Sequence, residues 1–189
     1  MPVMSDLMVT LRRAARALKD AEIGFALAGG YAAYARGAAE PTHDVDFVLR
    51  QEDVGVALAA LGAAGMEHRA SPEDWLEKAY DDGRLVDLIF NPADRPVDVD
   101  LLRRAEPLSV SAITMPVLTA TDLVIMRLLA YTETTCDFSE FLPVLRALRE
   151  QIDWPQVVKE TSHSPYAYAL IELLGRLGVI EPQRGQPDE

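Results

Sequence analysis

The sequence Thr-His-Asp-Val-Asp-Phe-Val-Leu at residues 42–49 is an informative stretch of the first half of the chain. Its polar and apolar side chains alternate, which predicts a β-strand from Asp44 to Leu49. Asp44 and Asp46 then lie on one face of that strand. Two carboxylates this close repel each other unless a cation or solvent screens them. Because apolar residues flank the pair and disfavour a fully solvated strand, the pattern favours a metal site.

A short apolar run precedes this strand and ends in a glycine pair. Residues 23–28 predict a buried strand, Gly29-Gly30 a tight turn, and residues 31–36 a short helix. Backbone N–H groups at such a turn, unobstructed by side chains, can hold a phosphate. A Gly-Gly turn is also common for structural reasons alone, so this motif by itself leaves both interpretations open.

A third carboxylate interrupts a hydrophobic strand predicted at residues 84–90. Burying a lone aspartate without a partner lowers the stability of the fold by several kcal/mol, so we expect Asp87 to have a partner or a functional role. A neighbouring strand carrying Asp44 and Asp46 would supply it, since three carboxylates then converge on a hard cation. Mg²⁺ is the ion that suits such oxygen ligands best. Two such ions can stabilise the attacking and leaving oxygens of a displacement at phosphorus.

The rest of the chain predicts an α+β fold. We expect residues 1–115 to form a mixed helix and strand core, residues 116–180 a helical subdomain packed on it, and residues 181–189 a flexible tail. The other predicted elements are helices at 4–20 and 54–64, a strand at 108–115, helices at 119–131 and 138–148, and two further helices capped by Asp153 and Ser164.

Composition excludes several classes of protein. The 189 residues are 49% hydrophobic and 25% charged, as in an ordinary globular protein. No apolar run approaches the ~18 residues of a transmembrane helix, and the N-terminal residues do not resemble a secretory signal. The single cysteine, Cys136, excludes a disulfide framework and a cysteine-rich zinc site. The cytoplasm is therefore the expected compartment, with no membrane partner.

The net charge of −12 has the wrong sign for long-range attraction to nucleic acid. A polyanionic partner would have to bind a local basic patch. Alternatively, these basic residues form a solvated surface laced with opposite charges. The basic residues concerned are Arg12, Arg13, Arg16 and Lys19 on the first helix, and Arg103 with Arg104.

At Gly29-Gly30, Asp44-Val45-Asp46 and Asp87 the chain resembles the nucleotidyltransferase superfamily that includes DNA polymerase β. The family pattern is a glycine pair after a strand, a downstream Asp-x-Asp and a third acid on a nearby strand, often with a threonine where Thr42 lies. Residues 115–130 resemble the AbiE-type nucleotidyltransferase-like toxins of toxin–antitoxin systems. The resemblance covers about residues 20–150, with one departure: relatives usually carry lysine at the position of Arg127.

The resemblance implies a nucleotidyltransferase fold, in which helices flank a mixed β-sheet and a helical bundle follows at the C-terminus. It also implies an enzyme that uses a nucleoside triphosphate and Mg²⁺, with two ions expected. Arg127 can grip a triphosphate bidentately, although pairing with a neighbouring acid is the alternative. The implied catalytic and metal-binding residues are Asp44, Asp46 and Asp87, and the implied nucleotide-binding residues are Gly29, Gly30, Thr42 and Arg127.

Three hypotheses for the function follow. The leading hypothesis is a toxin that transfers a nucleotide to RNA, tRNA in particular, and is restrained by an antitoxin protein; the other two are alternatives. The second is transfer to a small hydroxylated molecule such as an aminoglycoside or lincosamide antibiotic, which agrees better with the acidity of the chain because acidic clefts attract cationic compounds. The third is a non-catalytic, nucleotide-binding regulatory protein.

Overall fold

The computed structural model describes residues 6–181. The chain divides into two compact units, the first ending at Thr119 and the second beginning at Ala120. The first unit contains a seven-stranded mixed sheet with helices, and the second is helical, so the expected α+β class is confirmed. Among the residues described, no helix is long and apolar enough to cross a membrane.

Helices and strands are interspersed along the first unit, whereas the described part of the second unit, residues 120–181, contains helices and no strand. In the first unit the elements are α1 (Asp6–Asp20), β1 (Phe25–Leu27), α2 (Gly29–Ala35), β2 (Asp44–Leu49), α3 (Val54–Ala63), β3 (Glu67–Arg69), β4 (Leu76–Asp81), β5 (Arg84–Ile89), α4 (Val99–Arg104), β6 (Glu106–Val110) and β7 (Ile113–Val117). In the second unit they are α5 (Ala120–Leu129), α6 (Leu142–Leu148), α7 (Trp154–Thr161) and α8 (Pro165–Arg176).

The sheet has the strand order β3-β4-β5-β2-β1-β7-β6, so β2 lies at its centre. β2 runs antiparallel to β1 and parallel to β5. In the register between β2 and β5, Asp44 lies opposite Leu85 and Asp46 opposite Asp87. This pairing joins two strands that are distant in sequence, and it brings the third predicted carboxylate beside the first two.

One face of the sheet is covered by α1. Asp81, at the end of β4, accepts hydrogen bonds from Thr10 (2.6 Å) and Arg13 of that helix. Side chains paired across a sheet point to the same side, so Val86 and Val45 face α1 as well, and both are fully buried. Alternation then directs Asp44, Asp46 and Asp87 to the opposite face.

One predicted strand is wrong in detail. Residues 108–115 were expected to form a single strand, but the chain reverses inside this segment and forms the hairpin of β6 and β7. Ser111 and Ala112 make the turn with positive φ angles of 51° and 64°. Two-residue hairpin turns require this conformation and usually contain asparagine or glycine. Neither residue type is present, so the turn carried no recognisable signal.

The predicted helices of the second unit begin with the expected caps. The side chains of Asp153 and Ser164 accept hydrogen bonds from the backbone N–H groups of Gln156 and Ala167, at the starts of α7 and α8. The helix expected at 138–148 begins only at Leu142. The first two residues of the helix expected at 4–20 lie outside the described residues, as does the predicted flexible tail apart from residue 181.

Replacing Asp81 with alanine is expected to lower the free energy of unfolding by about 2 to 3 kcal/mol. The change would remove the buried carboxylate that pairs with Arg13 and lies 3.5 Å from the half-buried Arg84. Urea denaturation followed by circular dichroism measures the effect. Asp20, whose pair with Arg16 is exposed on both sides, is the control, and its replacement by alanine should change stability by less than about 0.5 kcal/mol. Equal effects of the two changes would contradict this account.

Candidate active site

The carboxylates of Asp44, Asp46 and Asp87 converge on the sheet face opposite α1. One oxygen from each of the three lies within 4.8 Å of the others. The alternation of β2 places the first two on this face, and the parallel pairing with β5 adds the third. The cluster that the sequence predicted as a metal site is therefore present as a geometric arrangement.

Asp87 is the most buried member of the cluster, with only 8% of its surface exposed. Its Oδ1 atom is buried and has no hydrogen-bond partner among the residues described. A buried carboxylate oxygen normally has a hydrogen bond or binds a cation. The donor set is entirely carboxylate oxygen, which is the chemistry that Mg²⁺ prefers. These residues fit the divalent ions that the sequence predicted.

The electrostatics of the cluster agree with this fit. Burial, together with the negative charge of Asp44, raises the pKa of Asp87 to about 6, and the ammonium of Lys78 opposes that rise. Without a cation, the folded protein therefore binds a proton at Asp87 more readily than the unfolded chain does. A bound divalent cation would remove this penalty by pairing with the carboxylates.

We expect Asp87→Asn to stabilise the metal-free protein at neutral pH. The carboxyl has an ordinary pKa of 3.8 and a pKa of about 6 in the fold, so its ionisation in the folded state costs about 3 kcal/mol at about 1.4 kcal/mol per pKa unit. This loss of stability develops as the pH rises from about 4 to about 6 and is complete above that range. The asparagine variant does not suffer it.

Urea denaturation in EDTA from pH 4 to pH 8 measures the difference between the two proteins. The unchanged protein and the variant should be equally stable at the acid end and diverge as the pH rises. Added Mg²⁺ should then stabilise the unchanged protein more than the variant. A difference in stability that does not vary with pH would contradict this assignment.

The glycine turn lies directly against Asp46. Gly29 has a φ angle of +55°, and a Cβ atom there would stand 2.6 Å from Asp46 Cγ. A Cβ on Gly30 would stand 2.6 Å from the Cβ of Pro41. Only glycine fits at these two positions without displacing a neighbour. The turn predicted between β1 and the following helix is present, but Gly29 and Gly30 are already the first residues of α2.

Thr42 lies on the approach to the cluster, just before β2. It is exposed and borders a cleft of about 480 Å³ whose lining also includes Glu40, Pro41 and Arg84. Asp6 and Leu7 of α1 complete the lining, and Arg84 donates a hydrogen bond to Thr10 of the same helix, so the cleft lies on the α1 side of the sheet. The nucleotide contact implied for Thr42 stays a prediction.

Arg127 lies on α5 in the second unit, and its guanidinium is 5.4 Å from the centre of the Tyr131 ring. Asp137, an acidic residue farther along the chain, is bound locally by the backbone N–H (2.8 Å) and hydroxyl (2.7 Å) of Ser139. These hydrogen bonds hold the pKa of the Asp137 carboxyl below its usual value. The role of Arg127 toward a nucleotide stays a prediction.

The structure adds two charged residues beside Asp87 that the sequence did not indicate. Lys78 on β4 lies opposite Asp87 in the sheet and pairs with Glu73 at 3.4 Å. The Leu-Glu-Lys-Ala-Tyr-Asp sequence of β4 contains no β-branched residue, so no strand was expected there. The available signal was the Asp82-Gly83 pair, where both residues have positive φ angles and form a tight hairpin turn.

Comparisons with known proteins bear on the family of this chain and on its fold. A family model described as "uncharacterised nucleotidyltransferase" matches residues 6–175. Two solved structures similar to this chain are both of the antibiotic-resistance factor ANT(2'')-Ia. Its solution structure has a TM-score of 0.66 at 12% identity and covers 93% of this chain and 100% of its own. A crystal structure in complex with adenylyl-2''-tobramycin has a TM-score of 0.67 at 13% identity, covering 87% and 99%.

Identities this low establish similarity of fold alone. The expected nucleotidyltransferase fold is therefore confirmed, whereas the finer resemblance to AbiE-type toxins is not. Comparison of the sequence with curated proteins gives no match.

Proposed function

Because the chain belongs to the family of uncharacterised nucleotidyltransferases, we propose that it transfers a nucleoside monophosphate from a nucleoside triphosphate to an acceptor hydroxyl at the cluster of Asp44, Asp46 and Asp87. The observation that carries this proposal is the convergence of three carboxylates on one sheet face, one of them with a buried and unpartnered oxygen. Three carboxylates this close destabilise the fold unless they bind cations, and such destabilised groups are typical of functional sites.

The proposed reaction is a single displacement at phosphorus. The acceptor oxygen forms a bond to the α-phosphorus, and the bond from this phosphorus to the oxygen bridging the α- and β-phosphates breaks. Pyrophosphate departs with that electron pair. Asp87, which lies beside Asp46 on the neighbouring strand, accepts the proton of the attacking hydroxyl.

The other residues bind and orient the donor. Asp44 and Asp46 would hold the divalent ions, which would supply positive charge to the phosphates when bound. The triphosphate lies against the backbone of Gly29 and Gly30, where the absence of side chains permits close approach to Asp46. Thr42 and Arg127 are proposed as further nucleotide contacts. Alignment and charge stabilisation account for most of the rate in phosphoryl transfer.

We propose a small hydroxylated acceptor that carries amino groups, of the aminoglycoside type. The net charge of −12 favours a cationic acceptor over a nucleic acid. Part of the basic surface that RNA would need is engaged within the protein, because Arg13 binds the buried carboxylate of Asp81. Arg16 and Arg103 are exposed, but each has an acidic neighbour, Asp20 at 3.5 Å and Asp100 at 3.3 Å, which reduces the local positive charge. The structural neighbour crystallised with adenylyl-2''-tobramycin supports the same choice.

Transfer to tRNA by a toxin with an antitoxin partner, the leading hypothesis from the sequence, is the alternative acceptor, and the same experiment tests both acceptor classes. The protein is incubated with Mg²⁺ and each α-labelled nucleoside triphosphate, together with either tobramycin or total tRNA. We expect labelled tobramycin from the unchanged protein and none from an Asp44→Ala, Asp46→Ala double variant. Label on tRNA that disappears when Arg12 and Lys19 are replaced by alanine would establish RNA as the acceptor instead. No transfer to any acceptor would contradict the proposed function.

A further inference from the structure

A charged pair lies on the sheet face of the three carboxylates, one strand beyond Asp87. Lys78 is the residue of β4 directly opposite Asp87, so both side chains point to the same face. The Lys78 Nζ atom lies 3.4 Å from Oε2 of Glu73, in the segment that connects β3 to β4. About 24% of the Lys78 side chain and 37% of the Glu73 side chain are exposed, so a ligand on this face can reach both.

The carboxylate of Glu73 is held in place by one further contact, from Ser71, which the backbone of Glu73 itself positions. The hydroxyl of Ser71 donates a hydrogen bond to Oε2, and the backbone N–H of Glu73 donates to the Ser71 oxygen at 3.4 Å. A carboxylate has about four acceptor positions, and both side-chain donors here use the same oxygen. The group is therefore oriented and retains capacity for another donor. Its charge is felt at Asp87, where it contributes to the raised pKa.

The order of groups across the sheet shows on which side of the carboxylate cluster Lys78 and Glu73 lie. The glycine turn lies against Asp46 on β2, Asp87 lies on the next strand, and Lys78 lies on the strand after that. Neighbouring strands are about 4.8 Å apart. Attacking and leaving oxygens lie roughly in line in phosphoryl transfer. If pyrophosphate leaves from the glycine turn, the acceptor approaches from the side of Lys78 and Glu73.

We propose that Glu73, held by Ser71 and Lys78, is an acceptor-binding residue that accepts a hydrogen bond from an amino or hydroxyl group next to the attacked hydroxyl. This inference rests on the proposed function, because the glycine turn must bind the donor. It assigns the acceptor to small molecules that carry amino or hydroxyl groups, since the free oxygen of this carboxylate accepts hydrogen bonds from such donors.

The test compares Glu73→Gln with Glu77→Gln. Glu77 lies on β4 next to Lys78 in sequence but points to the other face, where its carboxylate is 2.9 Å from His68. Tobramycin binding is measured by calorimetry in the presence of Mg²⁺ and a non-hydrolysable ATP analogue. Loss of a hydrogen bond to a charged group is expected to weaken tobramycin binding about tenfold or more in Glu73→Gln, with little change in Glu77→Gln.

A second titration separates this inference from the proposed function. Binding of Mg²⁺ and the ATP analogue, measured without tobramycin, should be the same in the unchanged protein and in both variants, because the donor lies on the other side of the cluster. Equal tobramycin affinity in all three proteins, or no tobramycin binding by the unchanged protein, would overturn the role of Glu73. Failure to bind the nucleotide at all would instead overturn the proposed function.

Discussion

Replacing Asp46 with asparagine is expected to lower the rate of nucleotidyl transfer by about 10²- to 10³-fold while the fold is retained. Asparagine has nearly the same shape as aspartate but no charge. Asp46 lies opposite Asp87 on the neighbouring strand and against the glycine turn, so its charge acts on both the acceptor side and the donor side of the site. The loss should appear mainly in kcat, since the charge is needed where negative charge develops in the transition state.

The same variant should bind divalent ions more weakly than the unchanged protein. Calorimetric titration with Mn²⁺ measures this without any acceptor. Asp20→Asn, at the exposed end of α1, is the control and should leave both transfer and Mn²⁺ binding unchanged. Retention of full transfer activity in Asp46→Asn would exclude the carboxylate cluster as the reaction centre.

Replacing Gly29 with alanine is expected to reduce transfer by about 10²-fold, because a displacement of about 1 Å at a reaction centre has an effect of this size. The new Cβ would overlap the carboxylate of Asp46, whose Cγ would be only 2.6 Å away. Either the turn or the carboxylate must move, and both belong to the proposed site. The positive φ angle adds a further cost of about 1 to 2 kcal/mol for any residue with a Cβ.

The variant Gly178→Ala distinguishes the effect of backbone strain from the effect of displacing the glycine turn or Asp46. Gly178 has a similar φ angle of +65°, but a Cβ there meets nothing within 4 Å. Thermal denaturation should show a loss of stability from backbone strain in both variants. Only Gly29→Ala should also lose transfer activity. If both variants retained activity, the close approach of the turn to Asp46 would have no part in the reaction.

The sequence predicted the central part of the site because its signal is local. The two-residue period of β2 fixes the face on which Asp44 and Asp46 lie, whatever the rest of the sheet does. Asp87 was expected nearby for an energetic reason, since a lone carboxylate in an apolar strand needs a partner. The structure shows how the partner is supplied, through the parallel register of β2 and β5.

The acceptor side of the site could not be predicted in the same way. Lys78 comes beside Asp87 only through the hairpin of β4 and β5, and β4 has weak strand propensity. Glu73 then reaches Lys78 from a connecting segment whose path depends on the packing of β3 and β4. Such contacts between distant residues are decided by tertiary structure, and no short motif encodes them.

The most direct test of the central claim is a crystal structure of the protein with Mn²⁺ and a non-hydrolysable nucleoside triphosphate analogue, with the metal located by anomalous scattering. The account predicts metal peaks bound by Asp44, Asp46 and Asp87, with the phosphates of the nucleotide against Gly29 and Gly30. A nucleotide bound elsewhere, with no metal at the three carboxylates, would contradict it.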